Sequence, residues 1–135
     1  MVVLIDANVV LDRILGRNEL SERAMEACKR EDVDGYIAFH SVSIIWYVLR
    51  DLPPAERRRI LRDLCELLTV TAAPHEMVTQ AIDNDNFLDF EDCLQDVCAK
   101  AVHADYIITG NIKDYVSSGV PALTPERWLE LLVQE

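Results

Sequence analysis

No apolar stretch in this chain reaches the length, about 20 residues, that a helix needs to cross a bilayer. No secretory leader opens it, so the expectation is a soluble, cytoplasmic protein with no membrane partner. CxxC spacing is missing too, and Cys28, Cys65, Cys93 and Cys98 read as reduced thiols packed in helices. Positive charge is scarce. Thirteen Lys and Arg against 24 Asp and Glu leave a net charge of −11, which excludes broad nonspecific adhesion to nucleic acid or anionic membranes. It does not exclude nucleic acid, because carboxylates loaded with a divalent cation attract phosphate locally. Repeats, low-complexity tracts and linkers are absent as well. What is present is 135 residues, half of them hydrophobic, enough for one domain over 1–135 with a genuine core.

Short β-branched or aromatic runs mark strands at VVLI (2–5), YIAF (36–39), LLTV (67–70) and YIIT (106–109), with a weaker candidate at VPAL (120–123). Each is apolar on both faces, as in a parallel sheet covered by helices on its two sides. Helical patterns fill the intervals. One starts near Ser21 as cap, and SVSIIWYVLRD (41–51) is apolar enough to expect a core helix. PPAERRRILRDLCELL places prolines in a first turn, and Thr124 with Pro125 caps TPERWLELLV. The alternation predicts an α/β fold with right-handed crossovers.

In such sheets ligands bind beyond the carboxyl ends of the strands, where strand order reverses. Asp6 ends the first strand, and TGNIKD (109–114) follows the YIIT strand directly. Asp92 sits near a helix start, where free N–H groups and positive potential hold a carboxylate ionised. The candidates are therefore Asp6, Asp92, Asn111 and Asp114, with Asn8 and Asp89 behind them. Hard cations such as Mg²⁺ or Mn²⁺ take oxygen ligands of this kind, with waters and substrate phosphate completing the shell. Each residue also has a plain structural reading. Asp89 is the expected cap of the helix that carries Asp92, Asp6 can cap the helix after it, and Asn111 and Asp114 suit a turn. Their convergence on one sheet edge favours a site.

Three segments in order, LIDANVVLD, DFEDCLQDVCAKA and ADYIITGNIKDY, resemble the PIN-domain family over nearly the whole chain. That family comprises small metal-dependent nucleases, including VapC-type toxins of toxin–antitoxin pairs. The resemblance implies a metal-dependent endoribonuclease with Asp6, Asp92 and Asp114 as metal ligands and Asn111 completing the catalytic set. It implies Mg²⁺ or Mn²⁺ as cofactor, RNA as substrate, a small antitoxin as partner and a homodimer. Asn8, Thr109 and the nearby Lys113 are the expected substrate contacts.

One position departs from the pattern. PIN nucleases carry a glutamate on the helix that here reads SVSIIWYVLRD, and its place falls on Ile44; no acid occurs between Asp34 and Asp51. His40, Ser41 and Ser43 are the polar residues near that place. Loss of a carboxylate weakens metal binding and removes a candidate base, so a PIN domain that binds RNA or protein without cleaving is the alternative. A phosphatase of the haloacid dehalogenase type is disfavoured because Asn8 stands where D-x-D needs its second acid. A receiver domain is disfavoured because LLTVTA offers no phosphoacceptor. The arginines of RDLPPAERRRILR read as a solvated face, with phosphate contact the competing reading.

Overall fold

Val3, Leu4 and Ile5 are fully buried although they alternate between two faces, so the strand they form, β1 (Val2–Ile5), must lie inside the molecule. The computed structural model describes residues 1–134. β1 is flanked on both sides. β2 (Asp34–Ala38) and β3 (Thr69–Thr71) extend the sheet one way, β4 (Tyr106–Ile108) and β5 (Ala122–Leu123) the other, giving the order β3-β2-β1-β4-β5. Every neighbouring pair is parallel. All five expected strands are present; β1 has the expected ends, and those of the other four differ by at most two residues.

Helices occupy both faces. Val3, Ile5, Ile37 and Ile108 point to a core shared with α1 (Ala7–Ile14), α2 (Glu19–Ala27), α3 (Phe39–Val48), α4 (Pro54–Leu67) and α7 (Pro125–Gln134). Leu4, Ala38 and Ile107 point the other way, onto Cys98 and Ala99 of α6 (Phe90–Ala101). α5 (His75–Ile82) packs outside α6 through Ala81, Cys93 and Val97. No helix is long and apolar enough to cross a membrane among the described residues.

Three expectations are corrected. The N-cap of α2 is Asn18, whose side chain accepts from the Leu20 and Ser21 N–H groups; Ser21 lies inside the helix and bonds Asp12 instead. α3 is not a core helix. Ser41 and Ile45 are its buried residues, while Phe39, Tyr47 and Val48 are exposed, because α4 covers only part of it. All four cysteines are free, but Cys65 faces solvent on α4.

The chain runs outward from β1 to β3 and then returns to the far side of β1 for β4. Strand order therefore reverses between β1 and β4, the place at the carboxyl edge where open α/β sheets bind their ligands.

Candidate active site

Asp6 follows β1 directly and its backbone N–H donates to the Ile108 carbonyl at 2.9 Å, so it stands at the carboxyl edge between β1 and β4. Ile5 pairs with Ile108 in the sheet register, which sets Asp6 level with Thr109. The Thr109 hydroxyl donates to Oδ2 of Asp6 at 2.8 Å; Asp6 stands at the N-cap position of α1, but its side chain makes no cap hydrogen bond, contrary to the capping reading. Asp6 is buried, and burial raises its pKa; the Thr109 hydrogen bond opposes the rise and the charge of Asp114 adds to it.

Asp92, in the first turn of α6, is the second member. The Tyr115 hydroxyl donates to its Oδ1 at 3.2 Å from the 3-10 turn Ile112–Tyr115. Its pKa is pushed up to about 6, by burial first and the charge of Asp89 next, with Asp6 and Asp114 contributing. Asp89 caps α6, accepting the Glu91 N–H at 2.9 Å, so its structural reading holds while its charge still reaches Asp92. Glu91 belongs to the same group: burial, Asp89 and Asp6 all raise its pKa. Tyr115 is raised further still, by burial and by the facing acids.

Five carboxylates thus share one sheet edge: Asp6, Asp89, Glu91, Asp92 and Asp114. None of them joins an ion pair among the described residues. Nor do any three His, Cys, Asp or Glu side chains among those residues close into a preformed metal cage. The donor set nevertheless fits a hard cation. It is all oxygen and lacks any countercharge, and Mg²⁺ characteristically takes one or two carboxylates and keeps several waters.

The other expected residues divide. Thr109 is buried and holds Asp6. Asn111 donates its backbone N–H to Thr109 Oγ1 at 3.1 Å, bracing that hydroxyl. Asn8 and Lys113 are exposed, and Lys113 forms no ion pair with the acids. Ile44 is half-buried and brings α3 no carboxylate. What α3 brings instead is neutral. The Ser41 hydroxyl accepts from Gln95 Nε2 at 2.8 Å, both residues fully buried, and the His40 ring rests against the Glu91 backbone carbonyl. Burial lowers the His40 pKa, and its Nε2, like Gln95 Oε1, is buried without a partner.

Glu91 and Tyr115, coupled to the carboxylates, and Gln95, bonded to Ser41, are residues that reading the sequence did not single out. A helical count finds Gln95, three residues beyond Asp92 and four beyond Glu91 on one face of α6. Nothing local marks Tyr115.

Solved structures share the fold. VapBC2 from Rickettsia felis, bound to a promoter DNA fragment, superposes with a TM-score of 0.70 at 15% identity, covering 92% of this chain and 98% of that one. VapBC-1 from nontypeable Haemophilus influenzae gives 0.71 at 13% identity, covering 93% and 99%. VapC20 from Mycobacterium tuberculosis, a sarcin–ricin loop cleaving toxin, gives 0.57 at 10% identity, covering 78% and 86%. No curated protein matches by sequence. The family model for the PIN domain matches residues 2–113, and the chain belongs to the PIN-domain family.

Proposed function

We infer that this protein is a metal-dependent endoribonuclease of the VapC-like toxin type, built as a single domain over residues 1–135. The observation that carries the reading is the set of carboxylates with no countercharge around Asp6, at the strand-order reversal of a PIN-family chain. Asp6 and Asp92 would hold Mg²⁺ or Mn²⁺, with Asp114 or Asn111 completing the set. A divalent ion held there would supply Lewis acidity toward a phosphodiester and lower the pKa of a bound water.

The chain's own residues do the rest. Thr109 fixes the Asp6 carboxylate. Tyr115 orients Asp92, and its hydrogen bond favours the ionised form. Asn8 and Lys113, both exposed, are the proposed contacts for an RNA phosphate. A small antitoxin that covers the acidic crevice, and a second copy forming a homodimer, are proposed as protein partners. The VapBC assemblies that share this fold support the first of these.

A non-cleaving PIN domain is the second reading, and Ile44 is the observation that favours it. One experiment separates the two. A mixed RNA pool is incubated with the purified protein, with Mn²⁺ or with EDTA, beside an Asp6→Asn control. Metal-dependent cleavage that vanishes in the control supports the nuclease. A folded protein that leaves the RNA intact, with Mn²⁺ present, favours the binding module.

A further inference from the structure

α3 carries a second feature, outside the acidic crevice. Phe39, Val42, Ser43 and Trp46 line one side of a shallow apolar groove that Leu61 of α4 closes from the other. Phe39 is 68% exposed, and the next residue, His40, rests on the Glu91 backbone, so this end of the groove opens beside the carboxylates. Trp46 lies two helical turns further on, about 10 Å away. There the Arg57 guanidinium stacks 4.0 Å from the Trp46 ring and Arg58 sits 5.3 Å from it. Arg50 stacks 4.4 Å from the ring of Tyr47, which is 63% exposed.

Five of the chain's 13 basic residues fall within 50–62: Arg50, Arg57, Arg58, Arg59 and Arg62. Glu56 and Asp63 are the partners a solvated face would use. Of these five, only Arg59 makes an ion pair with a described residue, Glu56 at 3.7 Å, so Arg50, Arg57, Arg58 and Arg62 are left without a carboxylate among the described residues. Arg57 also donates to the Trp46 carbonyl at 3.4 Å with its Nε buried, and Arg50 donates to the Tyr47 carbonyl at 3.2 Å, so the exposed Arg58 and Arg62 and the remaining N–H groups of Arg50 are the donors left for phosphate. Aromatic faces interleaved with such groups suit single-stranded nucleic acid.

We propose that the Phe39–Trp46 groove and the arginines of α3 and α4 form a track for single-stranded RNA leading to the carboxylate crevice. The proposal rests on the ribonuclease reading and assigns the substrate strand a path. In an acidic protein the track concentrates positive charge where a polyanion must approach, while the crevice itself repels phosphate until a cation is bound. A second copy fits less well. α3 contains no acid at all, so its face offers no complementary charge to these arginines.

The test uses the full chain and a fluorescein-labelled 12-nucleotide mixed-sequence RNA in EDTA, where binding is read without turnover. Anisotropy titrations across a salt series compare wild type with Arg50→Gln/Arg58→Gln and with a control of equal charge change, Arg23→Gln/Arg127→Gln. For single strands each phosphate contact contributes about 0.7 to the slope of log K against log salt, so losing two makes the slope shallower by about 1.4. The control keeps the wild-type slope. RNA also quenches tryptophan emission, and the quenching vanishes in Trp46→Phe, because Trp128 is fully buried.

Equal slopes in the double variant and the control overturn the track. So does wild-type protein that binds no RNA but forms a dimer that Trp46→Ala abolishes, which gives the face to a second copy. Cleavage with Mn²⁺ at unchanged KM in the double variant overturns the track and leaves the nuclease standing. Arginine-dependent binding without cleavage keeps the track and sinks the nuclease.

Discussion

Asp96 lies outside the carboxylate crevice, and its replacement offers a clean test of what holds the site's outer wall. It is 1% exposed, and one carboxylate oxygen accepts from both the Ser118 hydroxyl and the Gly119 N–H, the latter at 3.1 Å. The other oxygen pairs with Lys100 at 2.9 Å. The segment so anchored follows the turn that carries Asp114 and Tyr115. In Asp96→Ala two hydrogen bonds to a charged acceptor disappear, at about 1.5 kcal/mol each. The Lys100 ammonium is nearly half exposed, so its share is screened to about 0.5 kcal/mol or less. The expected loss is about 3 kcal/mol by urea denaturation followed by circular dichroism. Asp96→Asn keeps an acceptor oxygen for Ser118 and Gly119 and should lose only about 1 kcal/mol. If the two variants agree within about 0.5 kcal/mol, the anchoring is not what stabilises this segment, and the reasoning fails.

Gly35→Ala places a Cβ 2.7 Å from Leu68 Cδ2 and 3.1 Å from Cys28 Sγ, inside a packed core, and should destabilise by about 1–3 kcal/mol in the same assay. Asp6→Asn removes a buried charge while keeping an acceptor for Thr109; its melting temperature at pH 7.5 should equal or exceed wild type, while calorimetric Mn²⁺ binding disappears. Asp6, Glu91 and Asp92 all have folded pKa values above their ordinary ones, Asp92 at about 6. Their contribution to stability is therefore complete below the unfolded values and is lost as pH rises through the folded ones. The metal-free protein should melt higher at pH 5 than at pH 7.5, and a lower melting temperature at pH 5 would contradict the cluster. Mn²⁺ binding needs the ionised forms and should weaken as pH falls through about 6. Tyr115→Phe removes the bond that favours ionised Asp92, so the midpoint of that decline should move to higher pH.

The strands and Asp6 were legible because their signals are local. Four apolar residues followed by an acid describe a buried strand and its exit, and the resemblance extended that to Asp92. The partnerships were not legible. Ser41 meets Gln95 across 54 positions and Tyr115 meets Asp92 across 23, and no pattern within a window of either residue encodes that distance. α3 misled because composition reports how apolar a helix is and not where its neighbours stand. Only tertiary packing reveals that α4 leaves Phe39 and Tyr47 uncovered. At α2, Asn18 and Ser21 are both good caps, and the bond from Ser21 to Asp12, nine residues earlier in the chain, decided between them.

The central position of β1 has a bearing on when the molecule acquires its chemistry. Asp6 is synthesised well before Thr109, which holds its carboxylate and is made 103 residues later, and Asp114 and Tyr115 come later still. A chain on the ribosome that has released β1, β2 and β3 owns half a sheet, with one flank of β1 unpaired and its carboxylate unsupported. Parallel pairing of β4 against β1 closes the longest loop in the sheet and can form only after β4 has been made. The carboxylate cluster is therefore assembled only once β4 and the turn that follows it have emerged from the ribosome.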